Sequence, residues 1–274
     1  MKHRRDECAA GVTSPESDSA GRYWAEQPGR SDHVRPYVHE GRTSRSLHFS
    51  IGQIQSRMRI DDPFALDLDY TRTMMGFLLF MPVPRRIAMI GLGGGSLAKF
   101  CHLHLRGVHI DVIEINPHVI ELRDQFHIPR DDARFRVIAA DGAQHVRKRR
   151  DDYDVLLVDG FDSQGQPARL CSRRFYGNAH AALTAGGVMV VNMHLGHRLH
   201  ETRVARIREC FGDAVLAIDE ASGGNQIVFA RKAVALEPAG SGRLGRHAGL
   251  NDAARKQLGA AFGRIRAAQE DQCP

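Results

Sequence analysis

Between Arg86 and Phe211 short apolar runs alternate five times with stretches of helical pattern, and nothing else in this 274-residue chain restricts its fold so strongly. The runs are RIAMIG, IDVIEI, FRVIAA, YDVLLVD and GVMVVNM. The stretches that follow them are Ser96 to Leu105, Pro117 to Phe126, Gly142 to Arg149, Ser172 to Leu183 and His200 to Phe211. Near-continuous apolar strands belong to sheets buried on both faces, and parallel neighbours need a crossover, usually a helix. The pattern therefore predicts an α/β chain with a mostly parallel, Rossmann-like sheet covered by helices on both faces. Ala214 to Ile218 and Gln226 to Ala230 add a closing hairpin at one edge.

The remaining segments divide by composition. Residues 1–32 mix Ser, Gly, Pro and both charges without apolar periodicity, which predicts a disordered leader. Residues 33–62 contain SLHFSIGQIQSRMRI, whose alternation around Gly52 predicts a small β-strand appendage. Asp67 to Phe80 carries Leu68, Met74, Met75, Leu78 and Leu79 at near-helical spacing and is stopped by Pro82 and Pro84, so a buried helix leads into the main domain, residues 63–232. Met74 and Met75 read as core filling. Residues 233–274 comprise a Gly-rich linker and an amphipathic helix capped by Asn251, with Leu258, Phe262 and Ile265 on the side that packs on the body or on another subunit.

Several classes are disfavoured. The net charge of +6 is spread along the chain, and its densest run, Arg147 to Arg150, is followed by Asp151 and Asp152. That run reads as a solvated helix end, and no nucleic-acid partner is expected. Thr73 to Pro84 is too short to cross a bilayer, so no membrane partner is expected either. MKHRR at the start leads into Asp6 and Glu7 with no apolar core of a signal peptide, and the five cysteines (Cys8, Cys101, Cys171, Cys210, Cys273) are scattered and form no CxxC pair. Reduced thiols in a cytoplasmic protein are expected. His194, His197 and His200 lack the further ligands of a metal site, so neither a metal nor a prosthetic group is expected.

The chemistry-bearing residues stand at strand ends. Gly91-Leu92-Gly93-Gly94-Gly95-Ser96 turns sharply between a strand and a helix, where a nucleotide-type ligand can approach the backbone. Glu114 closes the second strand 21 positions after Gly93 (114 minus 93), where it can accept bonds from ribose hydroxyls. Asp141-Gly142 closes the third; Asp141 either takes an adenine amine or caps the following helix. Ser96 stands where a dinucleotide fingerprint has its third glycine, which favours an adenosyl-sulfur ligand over NAD. The fourth strand ends in Asp159-Gly160-Phe161-Asp162, two carboxylates at the edge where open α/β sheets bind ligands.

Taken together, these motifs resemble the spermidine synthase family of polyamine aminopropyltransferases, over roughly Val34 to Lys232. Gly52-x-x-Gln55, Tyr70, the Gly91 to Ser96 loop, Glu114, Asp141-Gly142, Asp159 to Gly165 and the Phe175-Tyr176 pair carry the likeness. It implies a class I methyltransferase-type fold and transfer of an aminopropyl group from decarboxylated S-adenosylmethionine to a di- or polyamine, in a homodimer or larger homo-oligomer. By the same likeness Asp159 is the catalytic residue, and Asp162, Tyr70 and Gln55 bind the amine substrate. Gln55, Gly91, Gly93, Gly95, Glu114, Asp141 and Gly142 hold the adenosyl-sulfur ligand, and a loop after Asp162 excludes water. This sequence departs from the family pattern at four places: Gly94 replaces the glycine-loop Asp that binds the donor's propylamine, and the Glu and His after Tyr70 are missing. Glu220-Ala221-Ser222 replaces a Tyr-Pro, and Asp162-Ser163 replaces Asp-Pro. Two alternatives stay open, a methyltransferase using ordinary S-adenosylmethionine and a non-catalytic homologue that binds an adenosyl ligand.

Overall fold

The alternating segment after His33 forms a three-stranded antiparallel sheet of β1 (Tyr37–Glu40), β2 (Ser44–Ser50) and β3 (Gln53–Arg59). A computed structural model describes residues 33–50, 53–221, 223–236 and 250–271; the expected leader at 1–32, Gly52 and most of the expected linker lie outside the described residues. The register of β2 and β3 slips between Leu47↔Ser56 and His48↔Ile54, so Gln55 is the extra residue of a β-bulge. A bulge bends its strand and re-aims the side chains beside it.

The helix expected over Asp67 to Phe80 is instead two, α1 (Asp69–Met74) and α2 (Phe77–Phe80), broken at Met75 and Gly76. Gly76 shows why. A Cβ there would fall on the Ile265 side chain and 2.9 Å from Phe229, so the bend receives a side chain from far along the chain. Apolar spacing registers the buried face and is blind to that partner.

The main sheet then follows as β4 (Arg86–Ile90), β5 (His109–Glu114), β6 (Phe135–Ala139), β7 (Tyr153–Val158), β8 (Leu183–His194), β9 (Val215–Asp219) and β10 (Asn225–Arg231), in spatial order β6-β5-β4-β7-β8-β10-β9. Strands β4 to β8 run parallel and β10 is antiparallel to both β8 and β9, as the edge hairpin required. The crossovers carry α3 (Ser96–His104), α4 (Pro117–Ile120), α5 (Gly142–Arg147), α6 (Arg173–Ala182) and α7 (His200–Phe211). Helix α4 is shorter than the expected Pro117 to Phe126, because the chain continues as turns beyond Ile120.

Strand alternation divides the core. Ile87, Met89, Val155 and Leu157 face the layer of α1, α2, α3 and the C-terminal helix α8 (Asp252–Glu270). Ala88, Ile90, Leu156 and Val158 face α6 and α7. Asn251 caps α8 by accepting from Ala254 N at 2.8 Å. The helix docks on the body: Arg264 Nη2 lies 2.8 Å from Asp69 Oδ2, and Leu66 N donates to Gln257 Oε1 at 3.0 Å.

Candidate active site

Strand order reverses between β4 and β7, and there the carboxyl ends of the two strands meet; Asp159 N donates to Ile90 O at 2.9 Å. Such switch points are where open α/β sheets bind ligands. The approach requires glycine at position 91, since its φ is +96° and a Cβ would collide with the Asp159 carbonyl. Gly93 and Gly95 complete the turn, and Gly95 opens α3 without a side-chain cap. The first amides of α3 are thus left to a ligand or water.

Glu114 is buried behind this loop. Its carboxylate accepts from Leu92 N at 2.8 Å and Asn116 N at 2.7 Å. Burial pushes its carboxyl above the ordinary range, against the pull of those backbone donors. Sequence pattern assigned Glu114 to a ribose; the structure gives it a prior duty, holding the loop. Asp141 realises its capping role: Oδ1 accepts from Ala143 N (2.8 Å) and Gln144 N (3.1 Å), while Oδ2 pairs with Arg169 Nε at 3.3 Å. Gly142 brings α5 against β4, where a Cβ would sit 2.5 Å from Ile90 Cγ2. The nucleoside-type residues therefore gather around Ile90 and the glycine turn.

Beside them stands Asp159, half-buried, with no cation to neutralise it among its described partners. Burial raises its carboxyl above the ordinary range, opposed by hydrogen bonds from Asn192 and Tyr70. Asn192 Nδ2 donates to Asp159 Oδ1 at 2.8 Å from the end of β8. The Tyr70 phenol is held far above its usual value by burial first, then by the charge and hydrogen bond of Asp159 and the charge of Glu220. Glu220 Oε1 accepts from Tyr70 N at 3.1 Å and so fixes the start of α1. This places a hydroxyl and a half-buried carboxylate, both oriented, at the mouth of the sheet.

Asp162 is placed differently. It is exposed, its Oδ1 accepts from Gln164 N at 2.8 Å, and its backbone closes a tight turn with Gly165. No hydrogen bond joins it to Asp159 among the described residues. Gln55 forms the bulge of β3 without a hydrogen bond to the glycine loop; its neighbour Ser56 is the residue that meets Gly93 and Gly94.

Sequence reasoning missed Asn192, Ser56 and the role of Glu220. Asn192 left a signal, a polar residue inside the apolar run VMVVNM on the strand beside Asp159. Its exposure is 3%. His194, His197 and His200 form no metal site; His200 Nε2 meets Gln226 Oε1 at 3.0 Å, and no group of three potential ligands gathers among the described residues. No described helix is long and apolar enough to cross a membrane.

Comparison with known proteins shows the family. Residues 68–215 match the family model described as the spermine/spermidine synthase domain. A polyamine aminopropyltransferase of Neisseria meningitidis is 35% identical over 206 residues, covering 74% of this chain and 78% of the relative. One from Chromobacterium violaceum is 38% identical over 187 residues, covering 68% and 72%. The structure of a probable spermidine synthase from Corynebacterium glutamicum superposes with a TM-score of 0.62 at 19% identity, covering 72% of this chain and 76% of that one, a likeness of fold. A matched stretch that spans the glycine turn, Glu114, Asp141 and Asp159, with relatives aligned over most of their length, places this chain in the spermine/spermidine synthase family.

Proposed function

We infer that this chain is an aminopropyltransferase that moves the aminopropyl group of decarboxylated S-adenosylmethionine to a di- or polyamine and releases methylthioadenosine. The observation that carries the chemistry is the Asp159 carboxylate, half-buried with no cation among its described partners and hydrogen-bonded by Asn192 and Tyr70. An alkylamine has a pKa near that of lysine, ~10.4, so only about one molecule in 10³ is the free nucleophile at pH 7. Asp159 receives a proton of the attacking amine, directly or through water, and orients its lone pair. The nitrogen attacks the propyl carbon next to sulfur, the carbon–sulfur bond breaks with its electron pair going to sulfur, and the sulfonium becomes a thioether.

A nearby carboxylate favours the charged form of an amine, so Asp159 does not act by making free base abundant. Alignment of nitrogen, carbon and sulfur within ~3 to 3.5 Å must supply much of the rate. In this reading Tyr70 shares the acceptor side with Asp159, and Asp162 meets a cationic end of the amine. The glycine turn, Gln55, Glu114, Asp141 and Gly142 hold the nucleoside. We further assign the enzyme to the cytoplasm, consistent with free Cys101, Cys171 and Cys210, and to a homodimer on the strength of the family resemblance.

The test is incubation with decarboxylated S-adenosylmethionine and a panel of diamines and triamines, followed by mass spectrometry. Release of methylthioadenosine together with an amine heavier by one aminopropyl unit is the expected result. Methyl transfer from ordinary S-adenosylmethionine, or no product from any amine, overturns it.

A further inference from the structure

Strand β8 ends at His194, and the turn into α7 is rich in bases: His194, His197, Arg198, His200 and Arg203, with Glu201 the one carboxylate between positions 194 and 203. Glu201 is exposed and makes no ion pair among the described residues. Arg203 is 5% exposed, and a buried arginine ordinarily faces a carboxylate. This one has none among the described residues; its partner is a ring nitrogen, His197 Nε2, 3.3 Å from Nη2. That contact is between two donors. His197 Nδ1 accepts from Leu199 N at 3.0 Å, and a neutral imidazole has one acceptor nitrogen, so Nε2 bears the proton. Burial first, then the charges of Arg203, Arg198, His194 and His200, lower the pKa of the ring and favour this neutral form. An acceptor oxygen is what satisfies both N–H groups. His200, three residues before Arg203 on the same face of α7, adds the complementary need. Its Nε2 donates to Gln226 Oε1 at 3.0 Å, because the Gln226 amide nitrogen is committed to Asp219 Oδ1 at 2.7 Å. Its Nδ1 is then a lone pair without a partner, on a residue 6% exposed.

We propose that His197, His200 and Arg203 form a binding site for inorganic phosphate at the start of α7, separate from the adenosyl and amine sites and independent of the proposed function. Guanidinium groups bind oxyanions through charge-assisted hydrogen bonds, and Arg203 needs an anion to neutralise it. Near neutral pH phosphate carries acceptor oxygens, which suit Arg203 and His197 Nε2, and an O–H, which suits the free lone pair of His200. Sulfate has the oxygens and the charge without the O–H, and acetate has two oxygens and a single charge. Arg198 and His194, both exposed, add positive charge that draws an anion to the turn.

Calorimetric titration of the full chain with inorganic phosphate, sulfate and acetate at constant ionic strength, without donor or amine, tests the proposal. Phosphate should bind with a Kd of about 1 mM or tighter, and sulfate and acetate at least about three-fold more weakly. Phosphate binding weaker than about 10 mM, or sulfate or acetate binding as tightly as phosphate, overturns it. His197→Phe and Arg203→Met should each weaken phosphate at least about ten-fold, as for a lost hydrogen bond to a charged group. Unchanged affinity in either variant overturns the proposal, because the anion would then sit elsewhere. Should Arg203→Met fail to fold, His197→Phe, at a partly exposed turn position, still decides. Histidine-resolved NMR gives a second readout: a bound anion favours the imidazolium, so saturating phosphate should raise the His197 pKa, and an unmoved value overturns the site. None of these readouts involves turnover, so failure of aminopropyl transfer would sink the proposed activity without touching them.

Discussion

Two carboxylates at opposite ends of one sheet, one buried and one half-buried, have been driven in opposite directions. Asp111, near the amino end of β5, is 3% exposed and lies 2.8 Å from Arg136 Nη2 and 3.1 Å from Arg86 Nη2. Burial pushes its carboxyl up, but the two guanidinium groups outweigh that and hold it below the ordinary range. Asp159, at the carboxyl end of β7, has a phenol and an amide as partners and is held above that range by burial. The same sheet thus spends one carboxylate on stability and keeps the other under-compensated. Perturbed groups without a neutralising charge, in a cleft, are where proton-transfer chemistry is expected.

The sharpest way to break the comparison is Asp159→Asn. It keeps the shape and removes the base, so kcat should fall about 10³-fold, within the range of general-base contributions. Stability should behave in the opposite sense. A carboxyl whose folded-state pKa is raised costs stability as pH rises through the window between its ordinary and raised values. Asparagine removes that cost, so the variant's thermal midpoint at neutral pH should equal or exceed the native one. A large fall in the midpoint would show Asp159 to be a structural group like Asp111.

Asp111→Asn should give the mirror image. It leaves two arginines facing a neutral amide at a buried position, which costs about 3 kcal/mol, the lower end for broken buried pairs because Arg136 is partly exposed. The melting midpoint should drop by about 6 to 12 °C with kcat nearly unchanged. Its depressed carboxyl contributes stability that is present above the unfolded-state value and lost as pH falls through the folded-state value. Acid melts of the native chain should therefore steepen at low pH, and those of the variant should not. Equal steepening in both would remove Asp111 from the account.

How much of this was legible in the sequence follows from the range of the interactions. The parallel sheet was, because five apolar runs such as YDVLLVD leave few alternatives, and so was the turn at Gly91 to Ser96. The β3 bulge at Gln55, which turns Ser56 rather than its neighbour toward Gly94, depends on register with β2 and leaves no mark in composition. Glu220 touching Tyr70 and Asn192 touching Asp159 join residues on separate elements. Asp141 is the instructive middle case: both its roles were readable, and the distances to Ala143 N and Arg169 show the capping one, which does not exclude the other.

A smaller effect sharpens what separates the two carboxylates. Asn192→Ala removes the amide that opposes the burial-driven rise of Asp159, so the acid limb of the kcat/KM profile should move to higher pH. The rate at neutral pH should fall about ten-fold, as for one lost hydrogen bond to a charged group. Asn192→Gln, able to donate again, should restore part of the limb. A fall in rate with an unmoved limb would make Asn192 a packing residue.

The smallest effect concerns a third charge, this time a buried cation. Lys99 in α3 is 1% exposed; its Nζ donates to Phe126 O at 2.8 Å, and burial lowers its pKa to about 8. Because the folded form releases its proton before the unfolded chain does, stability should increase as pH climbs from about 8 toward the ordinary lysine value. The gain is at most about 1.4 kcal/mol per pH unit in that window. Lys99→Met fills the same space without a charge and should flatten the dependence, so the difference between native and variant melting midpoints should narrow or reverse at neutral pH and favour the native chain as pH rises. The residue also ties Phe126 to α3, and Phe126 is the ring that walls Gly94. A loss of donor affinity in Lys99→Met, with methylthioadenosine still bound, would place this amine among the groups that shape the donor side. Unchanged affinity would leave it, like Asp111, a charge whose work is done within the fold.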